Sequence, residues 1–258
     1  IRLKKDYAKA HSNLGVAFME VGRPKEAIAE YRLAIQLDKD GAEPYFRLAS
    51  ALRLGGDFQS ALDTIHRFQW LRSADPRWRV AADQEVRKCQ RLIELDEQLP
   101  GFLDKARKPS SAQEQIELAE LCAIKRLHAA AIRFYEDAFR AQPGLLPDHR
   151  YAAACAAALA GCGEGNDVAR LDEHQRERLR QQALHWLREE LAKNAEQSTT
   201  RPLVLEPMLR HWQREQDLAG VRDADRLTRL PAAEQAAWRE LWTEVDNLLR
   251  RYLSPMKN

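Results

Sequence analysis

Along the first part of the chain, apolar residues recur three and four positions apart: Leu14, Phe18 and Met19 form one run, and Ala27, Tyr31 and Ala34 another. This spacing puts each set on one side of an α-helix, and Gly22-Arg23-Pro24 between them predicts a break. Glycine suits the left-handed residue that ends a helix and proline suits the first turn of the next, so the two runs read as the arms of a helical hairpin. Shifted by 34 residues, the pattern falls on itself. Ile1, Leu3, Lys5, Asp6 and Ala8 meet Ile35, Leu37, Lys39, Asp40 and Ala42, while Leu14, Ala17, Gly22 and Ala27 meet Leu48, Ala51, Gly56 and Ala61. The small residues Ala17, Ala27 and Ala34 let paired helices approach closely. A single hairpin cannot bury its apolar side, so neighbouring hairpins are expected to stack. Because Ile1 to Asp6 match the tail of a second helix, the chain is expected to start mid-repeat, with a hairpin missing before its first helix.

A further copy of the pattern spans 112 to 145, with Leu118, Ala119, Ala131, Tyr135, Ala138 and Pro143 in register. Between the copies, residues 77 to 99 predict one long helix with Val80, Val86, Leu92, Ile93 and Leu95 as its apolar stripe. Residues 100 to 111 read as a linker whose Ser110 or Ser111 caps the next helix. Residues 148 to 161 predict a first helix carrying Tyr151, Ala154, Cys155 and Ala158, and its partner at 173 to 194 begins about 16 residues late. The glycine-rich stretch at 161 to 167 therefore falls inside an enlarged hairpin turn. A phosphate-binding glycine loop needs a preceding strand, and a P-loop ends in Lys-Ser or Lys-Thr; here a helix precedes and Asn166-Asp167 comes after, so a helix end with an insertion is expected. Anion binding by its bare backbone amides is the alternative. Residues 203 to 216 read as a short helix. Residues 231 to 253 read as a longer one, with Trp238, Leu241, Trp242, Val245, Leu249 and Tyr252 on one side, which must be covered by the chain as a cap or by a second copy.

Charge and cysteine content narrow the chemistry. Lys and Arg number 41 against 39 Asp and Glu, and the signs are interleaved, which opposes the one-signed basic stripe that nucleic acid requires. No apolar stretch approaches the ~18 residues of a membrane span. Cys89, Cys122, Cys155 and Cys162 form no C-x-x-C pair, and the six- and seven-residue steps from His149 to Cys155 and Cys162 run along a helix rather than around a point. Buried thiols are expected, with no metal, no cofactor and no catalytic residue. Asp57-Phe58 is followed by Gln59, and His149-Arg150 by Tyr151, so neither completes the kinase motif it begins.

The 34-residue hairpin resembles the tetratricopeptide repeat (TPR) family. Its signature places are taken by His11, Leu14, Gly15, Phe18, Ala27, Tyr31 and Ala34 in residues 8 to 41. In 42 to 75 they are Tyr45, Leu48, Ala49, Leu52, Ala61, Ile65 and Phe68, a looser match with the closing proline displaced to Pro76. The resemblance implies an all-α solenoid of TPR-type hairpins wound as a right-handed superhelix and closed by an irregular helical cap. Its expected parts are TPR repeats at 1–75, a connecting helix and linker at 76–111, TPR-like repeats at 112–194 and the cap at 195–258. "LAELCAIKRLHAAAIRFYEDAF", "HRYAAACAAALAGCGEG", "RLRQQALHWLREEL" and "LPAAEQAAWRELWTEVDNLLRR", in that order, resemble the C-terminal TPR region of large bacterial serine/threonine protein kinases. That implies a non-catalytic, cytoplasmic protein-interaction segment of such a kinase; a free-standing adaptor, or an enzyme using the 161 to 167 turn, is the alternative.

In TPR arrays the first helix of each hairpin lines a concave groove for a protein or peptide ligand. The resemblance places Lys9, Ser12, Asn13 and Val16, then Glu43, Phe46, Arg47 and Ser50, at its contact positions. Asn13 and Arg47 match two places of the family's clamp for C-terminal carboxylates, but Glu43 stands where that clamp has lysine. An extended-peptide groove, a carboxylate clamp and a ligand-free solvated surface all remain open at this point.

Overall fold

The computed structural model describes the backbone of residues 2–72, 76–198 and 202–253, and the side chains of residues 6–72, 78–196 and 205–250. Ile1 and the side chains of Leu3, Lys5 and Tyr252, given repeat or packing roles above, lie outside the described residues. All regular elements among the described residues are helices, and they form two compact units, residues 1–108 and 109–258.

The first unit contains α1 (Arg2–Glu20), α2 (Pro24–Leu37), α3 (Ala42–Leu54), α4 (Phe58–Leu71) and α5 (Pro76–Leu103). α1 pairs with α2 and α3 with α4, while α2 packs on α3 and α4 on α5, the order expected of stacked hairpins. Both hairpin turns close with the same bonds. Arg23 N–H reaches the Phe18 carbonyl at 2.8 Å and Asp57 N–H the Leu52 carbonyl at 2.9 Å, each across a glycine with positive φ, Gly22 at 70° and Gly56 at 84°. This is the motif in which a left-handed residue lets the chain turn back and bond the last free carbonyls of the helix. Asp57 then caps α4, its carboxylate accepting from Ser60 N–H at 3.1 Å.

Gly15 shows why the first hairpin closes tightly: a Cβ at that position would stand 2.5 Å from the ring of Tyr31, which is buried. Ala27, Tyr31, Leu48, Ala51, Leu52, Ala61 and Cys89 then form one core across α2 to α5. The two copies differ in burial at equivalent positions, Ala17 being exposed where Ala51 is buried. Leu48 is 6% exposed and Leu14 is 44% exposed, because α2 packs on the side of α3 that carries Leu48 and no described helix covers the matching side of α1. Tyr7 and Val21, seven residues to either side of Leu14, are also exposed.

α5 departs from the reading of 77 to 99 in two respects. It continues through Pro100 to Leu103, since Leu99 and Phe102 extend its buried side, and it ends at Lys105, whose φ is 66°. Its buried stripe is Ala82, Glu85, Cys89, Leu95, Leu99 and Phe102, whereas Val80 is exposed. The rotation is set by small residues at the α4 contact and by Glu85, buried against Arg53 at 2.5 Å.

The second unit contains α6 (Ala112–Ile124), α7 (His128–Ala141), α8 (Leu146–Gly161), α9 (Glu173–Ser198), α10 (Pro202–Arg214), α11 (Ala219–Arg222), α12 (Ala224–Leu227) and α13 (Ala232–Leu253). Ser111 caps α6, its hydroxyl accepting from Glu114 N–H at 3.1 Å. α8 is buried on all sides from Ala153 to Gly161, as an alanine-rich helix without a polar side must be. α7 and α9 flank it, and the 3-10 turn Gln216–Leu218 and α11 also pack on it. Tyr151 stacks on Trp212 with ring centroids 5.6 Å apart, joining α8 to α10. The apolar side of α13, with Trp238, Leu241, Val245 and Leu249 buried, is covered by α9, α10 and α11 of the same chain. Trp242 completes that seam by donating its indole N–H to the Val221 carbonyl at 2.8 Å.

Candidate functional site

The expected groove residues lie on α1 and α3, where one turn of helix separates successive members. On α1, Lys9 and Asn13 are exposed and Val16 is half-buried, packed in part against the core. Ser12 is 5% exposed and its hydroxyl has no hydrogen-bond partner, so solvent and ligand are both excluded from a residue expected on the groove. Its tilt toward the hairpin interior accounts for the difference. On α3, Glu43 is exposed, while Phe46, Arg47 and Ser50 are half-buried. Arg47 donates from Nε to the Glu43 carboxylate at 3.1 Å and also from Nη2. Glu43, standing where lysine was expected, therefore neutralises the arginine that a carboxylate ligand would need. Arg47 also opposes the burial that raises the Tyr31 hydroxyl above its ordinary pKa.

Beside this row lies a feature absent from the sequence reading. Phe46 is the edge of an aromatic cluster, with ring centroids 5.2 Å from Phe68 and 6.2 Å from Trp78. Phe68 and Trp78 line an adjoining pocket of about 220 Å³, walled by Ala82 and rimmed by Arg72, Arg79 and Asp83. Trp78 is 37% exposed, so its ring is partly available to a ligand. An apolar floor with a polar rim suits one aliphatic or aromatic side chain. Trp78 and Phe68 stand 32 and 22 residues from Phe46, and only the stacking of α5 brings them together.

The glycine stretch of the second unit is a helix end. Gly163, with φ 77°, stands where Gly22 and Gly56 stand, and Glu164 N–H reaches the Leu159 carbonyl at 2.9 Å. The α6–α7 turn has the same closure across a non-glycine residue, Arg126, with φ 58°. The segment after Gly163 is more than a connection. Asn166 N–H bonds the Arg126 carbonyl at 2.7 Å and its side-chain amide the Lys125 carbonyl at 3.0 Å. Asp167 accepts from Ala129 N–H at 3.1 Å and Ala130 N–H at 2.8 Å, capping α7 from a distant part of the chain. Gly165, with φ 136°, lies over His128, where a Cβ would come within 2.9 Å of the ring. No strand, and no group of three His, Cys, Asp or Glu side chains able to hold a metal ion, occurs among the described residues. Burial pushes the Cys89 and Cys162 thiols up to about 11 and Cys122 to about 12, so they are protonated, structural groups at neutral pH.

Residues 8–40 match the tetratricopeptide repeat family. That match covers the first hairpin. The second closes with the same turn bonds and stacks on it in TPR order, and the α6–α7 and α8–α9 pairs are hairpins of the same kind. No curated protein matches the chain. Among solved structures, the chain is similar to a MamA RS-1 ArsTM double mutant and to MamA 41-end from Desulfovibrio magneticus RS-1. Each is 17% identical, with a TM-score of 0.31 over 72% of this chain and 97% of that one. A further MamA crystal structure is 20% identical, with a TM-score of 0.26 over 72% and 81% of the two chains. Among the described residues no helix is long and apolar enough to cross a membrane.

Proposed function

We propose that this chain is a non-catalytic TPR interaction module and that its first unit carries the ligand site. The reading has an extended peptide crossing α1 and α3, its backbone meeting the Asn13 amide, which both donates and accepts, and one apolar side chain entering the Phe68–Trp78 pocket. The observation that carries it is that pocket, whose Phe68 and Trp78 meet Phe46 of the α3 row. A clamp for a terminal carboxylate is disfavoured by the Glu43–Arg47 pair. The kinase-associated, bacterial and cytoplasmic setting rests on the four resembling segments, and a free-standing adaptor is the second reading; the full-length sequence separates them.

The test is a peptide-library selection with the full chain, followed by Asn13→Ala combined with Arg47→Ala, and separately by Trp78→Ala. Each variant is expected to weaken the selected peptide by about 1–3 kcal/mol, the usual scale for hydrogen bonds to charged groups or a lost aromatic contact, without change in helix content. Selected peptides that bind both variants normally would place the site elsewhere. ATP hydrolysis above background would overturn the non-catalytic reading.

A further inference from the structure

A second concavity lies wholly in the other unit, where the end of α8, the start of α9 and the segment around α12 meet. Its volume is about 180 Å³, and four of its lining residues are Arg176, Arg180, Arg226 and Arg229. Two of the four charges are already matched. Arg180, 2% exposed, donates to both oxygens of Glu234 at 2.6 and 2.8 Å, to Glu173 at 2.7 Å and to the Gly161 carbonyl at 2.6 Å. Burial works against its charge, and the two carboxylates outweigh burial and hold it protonated. Arg226 pairs with Glu164 at 2.8 Å.

The other two are unmatched. The guanidinium groups of Arg176 and Arg229 have no ion-pair or hydrogen-bond partner among the described residues, and the Nε of Arg176 is buried without an acceptor. A buried donor left empty is destabilising, and like charges gathered in a concavity add repulsion. Both costs vanish when an anion enters. Gly161 and Gly220 let the walls of the concavity pack closely: a Cβ on Gly161 would stand 2.6 Å from Arg180 and one on Gly220 2.6 Å from the Cys162 sulfur.

The geometry points to this concavity as a binding site for a phosphate monoester or free phosphate. A dianion matches the two unpaired guanidiniums, and its three oxygens suit the paired N–H donors of arginine. The volume of about 180 Å³ accommodates a phosphate group. Arg176 and Arg229 bind the ligand; Arg180, locked by Glu234 and Glu173, holds α9 against α8 and so positions Arg176.

The test is calorimetric titration of the full chain with inorganic phosphate, and in parallel with an uncharged peptide bearing one phosphoserine, at constant ionic strength in chloride. One saturable site is expected, weakened at least about tenfold in Arg176→Gln/Arg229→Gln, since hydrogen bonds to charged groups contribute about that much. The double variant should fold, because neither side chain has an intramolecular partner; Arg229→Glu, at an exposed position, gives the same loss independently. Removing two charges elsewhere, in Arg178→Gln/Arg239→Gln, should leave binding within about twofold. Equal affinity for both probes identifies a free small anion as the ligand, and tighter peptide binding a phosphorylated side chain. Absence of saturable binding of either probe, or the same loss in both double variants, overturns the proposal.

Discussion

α3 and α8 hold the same place in their hairpins, yet one presents a surface and the other is enclosed. At its groove positions α3 carries Glu43, Phe46, Arg47 and Ser50, exposed or half-buried. The corresponding positions of α8 are His149, Ala152, Ala153 and Ala156, and every residue from Ala153 to Gly161 is buried. Two things make the difference. Long charged side chains on α3 keep their heads in water, whereas alanines offer only area, which is stabilising only under close packing. In the second unit the chain supplies the cover itself, the Gln216–Leu218 turn and α11 lying on α8. One hairpin frame thus leaves an open surface where its outer positions are large and polar, and a closed core where they are small and capped.

The largest test of this contrast uses one acid from each unit. Glu234 is 8% exposed and paired with the buried Arg180, whereas Glu43 is exposed beside Arg47. Glu234→Ala strands a buried charge and is expected to cost about 3–5 kcal/mol in urea unfolding, while Glu43→Ala costs under about 0.5 kcal/mol. Next in size is overpacking. Ala156→Phe should destabilise by about 1–3 kcal/mol, or more if α8 cannot shift, and Asn13→Phe by under about 0.5 kcal/mol; a neutral Ala156→Phe would mean that α8 is as open as α1. Asp167→Ala, which uncaps α7, is expected to cost about 1–2 kcal/mol, measured by the same unfolding curve.

The smallest effect is a pH slope confined to the second unit. Burial holds His128 below its ordinary pKa of 6.5, against the pull of Asp167. The unfolded chain therefore takes up the proton first, so stability is full above about 6.5 and declines as pH falls from there to the depressed folded value. His128→Gln should remove that slope, read from thermal melts across the interval.

Local order was legible wherever it depends on residues close in sequence. The hairpins at Gly22 and Gly56 and the C-cap at Gly163 follow from a left-handed residue after an apolar run, and Ser111 from its place before one. The α6–α7 turn lacks a glycine but was recovered from the 34-residue register. What escaped is non-local. The aromatic pocket needs α5 rotated so that Trp78 meets Phe46, and the stripe read from Val80 includes the buried Leu95 and the packed Val86 but misses Glu85, which, though charged, is buried against Arg53. Pro100 read as a break, yet Leu99 and Phe102 have enough buried area to carry the helix past it. Of the groove set, Ser12 faces inward, a tilt that spacing alone does not resolve. Asp167 gave no signal at all, since its two amide partners lie 38 and 37 residues away.

That last contact bears on how the second unit is assembled. In a plain array each hairpin contacts only its neighbours, so the ends fray independently of the middle. Here the beginning of α7 is finished only once α8 has formed, turned at Gly163 and delivered Asp167 to the Ala129 and Ala130 amides. The earlier hairpin waits for the later one. The two consequently open together, and amide protons at the start of α7 exchange with solvent at the rate of the α8–α9 turn, not at the rate of their own helix.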